Sequence, residues 1–284
     1  MNTEILIGVI GQGYVGKNYA DDFQDRGFTV VRYALEEPYV ENRERIADCD
    51  VVFVGVPTPT TPSGFDSSIV DDALSLVGEG KVAVIKSTIL PGTTKKLQEA
   101  HPDITVLYSP EFLSEATARE DVSAPFASVV GTTAPGQEAQ ATLVLSLLPD
   151  APFKQVMTST EAELFKYAHN TSGYIQVVFF NMLYDLAQAL GEDWERIGKA
   201  VAADPYISNR YSNPLHKTGR GAGGHCFIKD FAALRQLYET VRPEDTTAAS
   251  VFEAVEAKNV ELLRGTGKDL ELLAGVYGAS VKNV

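Results

Sequence analysis

The side chain best suited to covalent chemistry is Cys226, in Gly223-Gly-His-Cys-Phe-Ile-Lys-Asp230. A thiol in a glycine-rich loop, followed by Lys229 and Asp230, can be exposed beside a cation and biased toward the nucleophilic thiolate. Taken alone, the residue reads equally well as a buried, inert cysteine. Cys49, in Ala-Asp-Cys-Asp, has no such setting and reads as structural. Lys166 and Asn170 are spaced i,i+4 and share one helix face. An ammonium and an amide aimed at one point stabilise developing negative charge. The same spacing also suits a surface pair.

A second constellation is Gly11-Gln12-Gly13-Tyr14-Val15-Gly16, between an apolar run and a helical pattern. Two glycines permit a tight turn and close approach of a pyrophosphate, and the third lets helix and strand pack closely. The amides at the start of the helix then face the phosphates. An acidic residue about 20 residues on would normally bind the adenosine ribose. The region reads Val31-Arg32-Tyr33-Ala34 instead, and Glu36 and Glu37 come late. Arg32 either accepts a 2′-phosphate, which would favour NADP, or is a solvated strand end. NAD is the first expectation and NADP the second.

The elements that must hold these residues follow from periodicity. Runs at 4–10, 28–33, 50–56, 81–86, 104–108 and 127–131 read as buried strands. Helical patterns lie near 14–26, 68–78, 93–100 and 135–148, with a short polar helix over Val40–Ala47. The alternation predicts an α/β fold: an N-terminal Rossmann-type, doubly wound parallel sheet over residues 1–157. Thr160-Glu-Ala-Glu163 reads as a capping box opening a helix to about Leu190. The remainder reads as helix apart from a loop near 204–229. This gives an all-helical second domain over 158–284, carrying Lys166, Asn170 and Cys226. Its apolar helix (Tyr174, Val177, Val178, Phe180, Leu183, Leu186) suits a core or a dimer seam.

Composition narrows the function classes. The net charge of −14 argues against a nucleic-acid partner. No run of about 18 uncharged apolar residues exists to cross a membrane. The start, Met-Asn-Thr-Glu, lacks the basic residues of a signal peptide, so a cytoplasmic protein is expected. Two cysteines make no disulfide framework, and no Cys/His cluster has metal-ligand spacing.

Further segments follow in order: Val56-Pro57-Thr58-Pro59-Thr60, Lys86-Ser87-Thr88-Ile-Leu-Pro-Gly92, Ser109-Pro-Glu111-Phe112-Leu113-Ser-Glu115, Ala162-Glu-Leu-Phe-Lys166-Tyr-Ala-His-Asn170 and the Cys226 stretch. Together they resemble the UDP-glucose/GDP-mannose dehydrogenase family. That family carries G-x-G-Y-V-G, P-T-P, S-T-x-x-P-G, S-P-E-F-L-x-E, A-E-L-x-K-Y-x-x-N and G-G-x-C-F-x-K-D. The resemblance spans roughly residues 4–260. It implies a dimeric, NAD-dependent oxidation of a nucleotide sugar such as UDP-glucose to the uronic acid. Cys226 would hold the intermediate as a thiohemiacetal and then as a thioester.

The resemblance also implies roles. Lys166 and Asn170 would stabilise oxyanions and position the sugar. Glu111 would help deprotonate the hydrolytic water, which Thr88 and Asp230 would orient. Gly11, Gln12, Gly13, Tyr14, Val15, Gly16, Val56, Pro57, Thr58, Pro59, Ser87, Thr88, Glu115 and Lys229 would face the cofactor, with Arg32 beside them. Glu111, Phe112, Leu113, Lys166, Asn170, Lys217, Arg220, Gly221 and Gly223 would face the substrate, the glycines offering amides to phosphate. No metal is implied, and His169, His216 and His225 receive no role.

Three departures stand against the pattern. The family's third, nucleotide-binding domain is expected to be missing, since the sequence stops at Val284. The stretch from Tyr33 to Asp50 is short, as if a helix and a strand were deleted. The family's D-x-R-I-G reads Asp204-Pro-Tyr206-Ile-Ser208, with Arg210 a possible substitute for the arginine. Two other readings stay open: a one-step 3-hydroxyacid-type dehydrogenase, which would not need Cys226, and a non-catalytic or partner-dependent cofactor-binding homologue.

Overall fold

The computed structural model describes residues 5–114 and 116–282. It divides into two compact units, one of Met1–Thr58 and Asp66–Lys166, the other of Pro59–Phe65 and Tyr167–Val284.

The first unit is built on seven strands: β1 (Leu6–Ile10), β2 (Thr29–Tyr33), β3 (Val51–Val54), β4 (Val82–Ile85), β5 (Thr105–Tyr108), β6 (Ala127–Thr132) and β7 (Phe153–Thr158). Their spatial order is β2-β1-β3-β4-β5-β6-β7. The five strands from β2 to β5 pair in parallel, as do β6 and β7. β6 meets β5 antiparallel through Tyr108 and Gly131. The chain builds outward from β1 in both directions, so the ends of β1 and β3 form the switch point where such sheets bind ligands.

β1, β3, β4 and β5 are almost wholly buried because helices cover both faces, which is why they read as unbroken apolar runs. β7 gave no such signal: its Phe-Lys-Gln-Val-Met-Thr is mostly exposed, as an edge strand can be. The helices of this unit are α1 (Tyr14–Asp25), α2 (Ser68–Leu74), α3 (Thr93–Ala100), α4 (Ala118–Ser123) and α5 (Glu138–Leu147). α1 buries Gly16, Tyr19, Ala20 and Phe23 at helical spacing, and the Phe23 ring meets Phe53 of β3 at 4.8 Å. A fully buried side chain of this size contributes about 1.5–3 kcal/mol.

The helix expected over Val40–Ala47 is instead two 3-10 turns, Val40–Asn42 and Glu44–Asp48, anchored by buried Ile46. These turns lie within residues 34–50, which carry the chain from edge strand β2 past β1 to β3.

The division between units falls inside α6 (Ser159–Ala189), after Lys166. The capping box of α6 sits two residues earlier than the sequence suggested. The Thr158 N–H and hydroxyl donate to the Glu161 carboxylate, whose own N–H donates to Thr158 Oγ1. Glu163 points instead at a neighbouring turn. It accepts from the N–H groups of Gly92 (2.5 Å) and Thr94 (2.8 Å) and from the Thr94 hydroxyl (2.5 Å). The start of α3 therefore takes the carboxylate that Thr160 was expected to take.

The second unit continues α6 and adds α7 (Trp194–Ala203), α8 (Gly224–Val241), α9 (Thr246–Thr266) and α10 (Leu270–Tyr277). It also holds two-residue ladders at Thr60–Thr61 with Gly64–Phe65 and at Leu215–His216 with Gly219–Arg220. Tyr174 of α6 stacks on Phe231 of α8, with ring centroids 4.0 Å apart and planes 11° off parallel. Ile228 and Ala232 of α8 pack on Leu263, Leu273 and Val276. Of the apolar residues of α6, Tyr174, Val178 and Phe180 are core, whereas Leu186 is 54% exposed. The loop expected over 204–229 ends early, at Gly223, so Cys226, Lys229 and Asp230 stand on α8. Among the described residues no helix is long and apolar enough to cross a membrane.

Candidate functional site

In the first unit the glycine loop follows β1 at the switch point. Gly11 is left-handed (φ +87°), and a Cβ there would lie 2.3 Å from the Gly55 carbonyl oxygen. A Cβ on Gly16 would lie 1.8 Å from the Gly11 oxygen, which is why only glycine lets α1 come so close to β1. Gly13 differs: nothing stands within 4 Å of where its Cβ would be. Gly13, the N-cap of α1, brings no side chain of its own to the helix start, and the first turn holds no acidic residue. Open space beside N–H groups at a helix start fits a dinucleotide pyrophosphate. The Gln12 amide donates back to the Val9 and Gly11 carbonyls (3.2 and 3.3 Å), while Tyr14 is exposed and Val15 half-buried. Arg32 lies along α1, ion-paired with Asp21 at 2.6 Å and bonded to Gln24.

Beside this loop, Ser87 Oγ accepts from the Val56 N–H (2.9 Å) and donates to the Val56 carbonyl (2.7 Å). The Thr58 hydroxyl donates to the Thr88 carbonyl at 2.7 Å. The Pro-Thr-Pro turn is thus tied to the end of β4, with Pro57 exposed and Thr58 and Thr88 buried. Pro59 belongs to the second unit.

At the end of β5, Glu111 and Lys166 form a buried pair. Lys166 Nζ donates to Glu111 Oε1 at 2.9 Å and to the Glu111 carbonyl at 2.5 Å, and Leu113 N–H donates to Oε2 at 2.7 Å. Burial pushes the Glu111 carboxyl up, but Lys166, the Leu113 amide and Lys86 outweigh it and hold the group below the usual carboxylate range. Phe112 packs on Phe126 and Phe165 (4.8 and 5.0 Å), so its ring serves packing. Glu115 lies outside the described residues.

Sequence reasoning passed over Lys86, which is 2% exposed. Its Nζ donates to Ser109 Oγ and the Pro110 carbonyl, both at 3.1 Å, and lies 4.2 Å over the Tyr19 ring. Burial pushes its ammonium down to about 7, against the pull of Glu111. A lysine ending the apolar run Val82-Ala-Val-Ile85 was the available signal.

In the second unit Cys226 is exposed in the first turn of α8. One turn later Asp230, 1% exposed, accepts from the Asn170 amide (2.6 Å) and from Lys229 Nζ (2.5 Å). The cation expected beside the thiol is thus paired with Asp230. Cys49 is buried in the first unit; burial, with Asp48 and Asp50, pushes its thiol up to about 11.

Arg220 is also occupied, donating to Asn181 Oδ1 (2.8 Å) and pairing with Asp185 (2.6 Å). Lys217 is exposed with φ +55°. In the loop Gly221–Gly224 two amides are bonded within the protein. The Ala222 N–H goes to Asn259 Oδ1 (2.6 Å) and the Gly224 N–H to Asp269 Oδ2 (2.8 Å). Gly221 is left-handed (φ +90°), packed under Asn259, Leu262 and Leu263. A Cβ on Gly223 would lie 2.0 Å from Asp269. Tyr206, standing where the resemblance has arginine, is 95% exposed, and Arg210 is exposed nearby. No group of three His, Cys, Asp or Glu among the described residues could hold a metal ion.

Residues 39–146 match the NAD binding domain of the UDP-glucose/GDP-mannose dehydrogenase family, and residues 160–261 match its central domain. UDP-glucose 6-dehydrogenase of Rickettsia typhi is 30% identical over 254 residues, covering 83% of this chain and 58% of that protein. UDP-glucose 6-dehydrogenase TuaD of Bacillus subtilis is 26% identical over 320 residues, covering 97% and 67%. The solved UDP-glucose dehydrogenase of the archaeon Pyrobaculum islandicum superposes with TM-score 0.78 at 29% identity, covering 93% of this chain and 72% of that one. The chain spans about 58% of the length of the Rickettsia relative. With both domains matched in order and a relative 30% identical over 83% of the chain, the chain belongs to the UDP-glucose/GDP-mannose dehydrogenase family.

Proposed function

We propose that this chain acts as a nucleotide-sugar 6-dehydrogenase, oxidising UDP-glucose or a related nucleotide sugar to the uronic acid through Cys226. The observation that carries the proposal is the exposed thiol on the first turn of α8, one turn before a buried Asp230 that holds Asn170. First-turn amides favour a thiolate, the nucleophilic form.

Bound at the Gly13 side of the glycine loop, NAD supplies the hydride acceptor for each oxidation. Arg32, already paired with Asp21, supports NAD over NADP. In our reading the sugar C6 alcohol loses a hydride and a proton to become an aldehyde. The Cys226 sulfur then bonds to that carbon as the carbonyl opens and its oxygen takes up the thiol proton, giving a thiohemiacetal that stays on the protein. Loss of a second hydride from that carbon and of the proton from its hydroxyl makes the thioester. Water cleaves the C–S bond, releasing the acid and restoring the thiol. Lys166 and Asn170, one turn apart on α6, are assigned to the oxygen that becomes negative. Glu111, kept ionised by Lys166, is assigned to taking the proton from water. Thr88 and Asp230 are assigned to orienting that water. Ile175, Phe179, Met182 and Leu186 leave an exposed apolar stripe on α6 at helical spacing, which supports a homodimer.

The test is reduced-nicotinamide production with UDP-glucose, GDP-mannose and UDP-N-acetyl sugars, each offered with NAD⁺ and NADP⁺. Turnover with one nucleotide sugar and NAD⁺ is expected. No turnover with any pair, in protein that binds the cofactor, would overturn the reading.

A further inference from the structure

The glycine loop before Cys226 is held by a segment beyond the matched family residues, which end at 261. α9 closes on Gly267 (φ +69°), with the Lys268 N–H bonded back to the Leu263 carbonyl at 2.9 Å. Asp269 is itself left-handed (φ +53°) and opens α10. The four residues Thr266–Asp269 then run along Gly219–Gly224. Thr266 Oγ1 accepts from the Arg220 N–H at 3.1 Å. Lys268, 5% exposed, donates from Nζ to the Gly221 carbonyl at 2.8 Å. Asp269 Oδ2 takes the Gly224 N–H at 2.8 Å. Gly223, the N-cap of α8, has no side chain of its own, and the carboxylate that meets the first amide of the helix arrives from 45 residues away. α10 anchors the arrangement by burying Leu273 and Val276 against Ile228 and Ala232 of α8.

We infer that Lys268 and Asp269 are positioning residues for Cys226: the turn between α9 and α10 clamps the glycine loop and caps the helix that presents the thiol. The clamp stands on the geometry alone. Its consequence for turnover rests on the Cys226 chemistry proposed above.

The test combines hydrogen exchange of the 219–227 amides with steady-state kinetics in Asp269→Ala, Asp269→Asn and Lys268→Met. In Asp269→Ala, exchange of this segment should rise about three- to thirtyfold, the change expected on losing one helix cap. Asp269→Asn keeps an acceptor oxygen and should stay within about twofold of wild type. The kcat of Asp269→Ala should fall about tenfold at unchanged cofactor KM, because the thiol is misplaced rather than the dinucleotide. Unchanged exchange in both Asp269→Ala and Lys268→Met would overturn the clamp. Faster exchange with unchanged kcat would overturn the positioning role. A wild type without Cys226-dependent turnover would defeat the proposed reaction, while faster exchange in the variants would still uphold the clamp. Should Asp269→Ala not fold, Lys268→Met and Asp269→Ser carry the same comparison.

Discussion

Two glycine loops in this molecule each lead into a helix, and they do opposite things. At Gly11–Gly16 the outer glycines are pressed against backbone while Gly13 faces open space. At Gly221–Gly224 the space is filled: Asp269 sits where a Gly223 Cβ would be and caps α8. From composition both look like phosphate cradles. The difference is what stands at the N-cap glycine: open space beside Gly13 in one loop, the Asp269 carboxylate beside Gly223 in the other.

Substitutions at these glycines sharpen the contrast. Gly16→Ala should have the largest effect, since its Cβ meets the Gly11 backbone at 1.8 Å, which neither helix nor strand can yield. We expect a loss of about 3 kcal/mol or more in thermal or urea unfolding. Gly223→Ala should cost about 1–3 kcal/mol, because Asp269 can swing away only by giving up the Gly224 cap.

Lys86 separates the same two regions by pH. Its folded form releases its proton at about 7, whereas an unfolded lysine holds it to about 10.5. Across that window the unfolded chain binds more protons, so stability rises with pH, and below about 7 the contribution is flat. Wild type should therefore gain about 1 kcal/mol per pH unit over Lys86→Met between those limits, read as the difference in unfolding free energy. A Gly223→Ala background should leave that difference unaltered. Gly13→Ala should be smallest in stability, within about 0.5 kcal/mol, yet raise the cofactor KM about tenfold by narrowing the approach to the helix N-terminus. Equal stability losses at Gly13 and Gly223 would erase the contrast.

The sheet was legible because its buried strands are continuous apolar runs, and the cofactor loop because Gly-x-Gly-x-x-Gly joins one such run to a helical pattern. β7 was hidden by its exposure at the edge. The start of α8 was hidden because Gly223 carries no capping side chain and the cap comes from Asp269, far along the chain. Thr160 and Glu163 matched a capping box in spacing, but Thr158 and Glu161 two residues earlier match it too, and α6 begins there. Lys166, Asn170, Asp230 and Glu111 were named from a motif. Their partners, which the motif leaves open, are a carbonyl and carboxylate for Lys166 and an amide and ammonium for Asp230.

In the reaction proposed above, Cys226 holds the oxidised carbon between two hydride transfers. The most direct measurement is the number of nicotinamides reduced per sugar consumed, in wild type and in Cys226→Ser. About two per sugar in wild type, with the acid as product and no acid formed by Cys226→Ser, is the result the account predicts. One per sugar, at the same rate in both proteins, would contradict it.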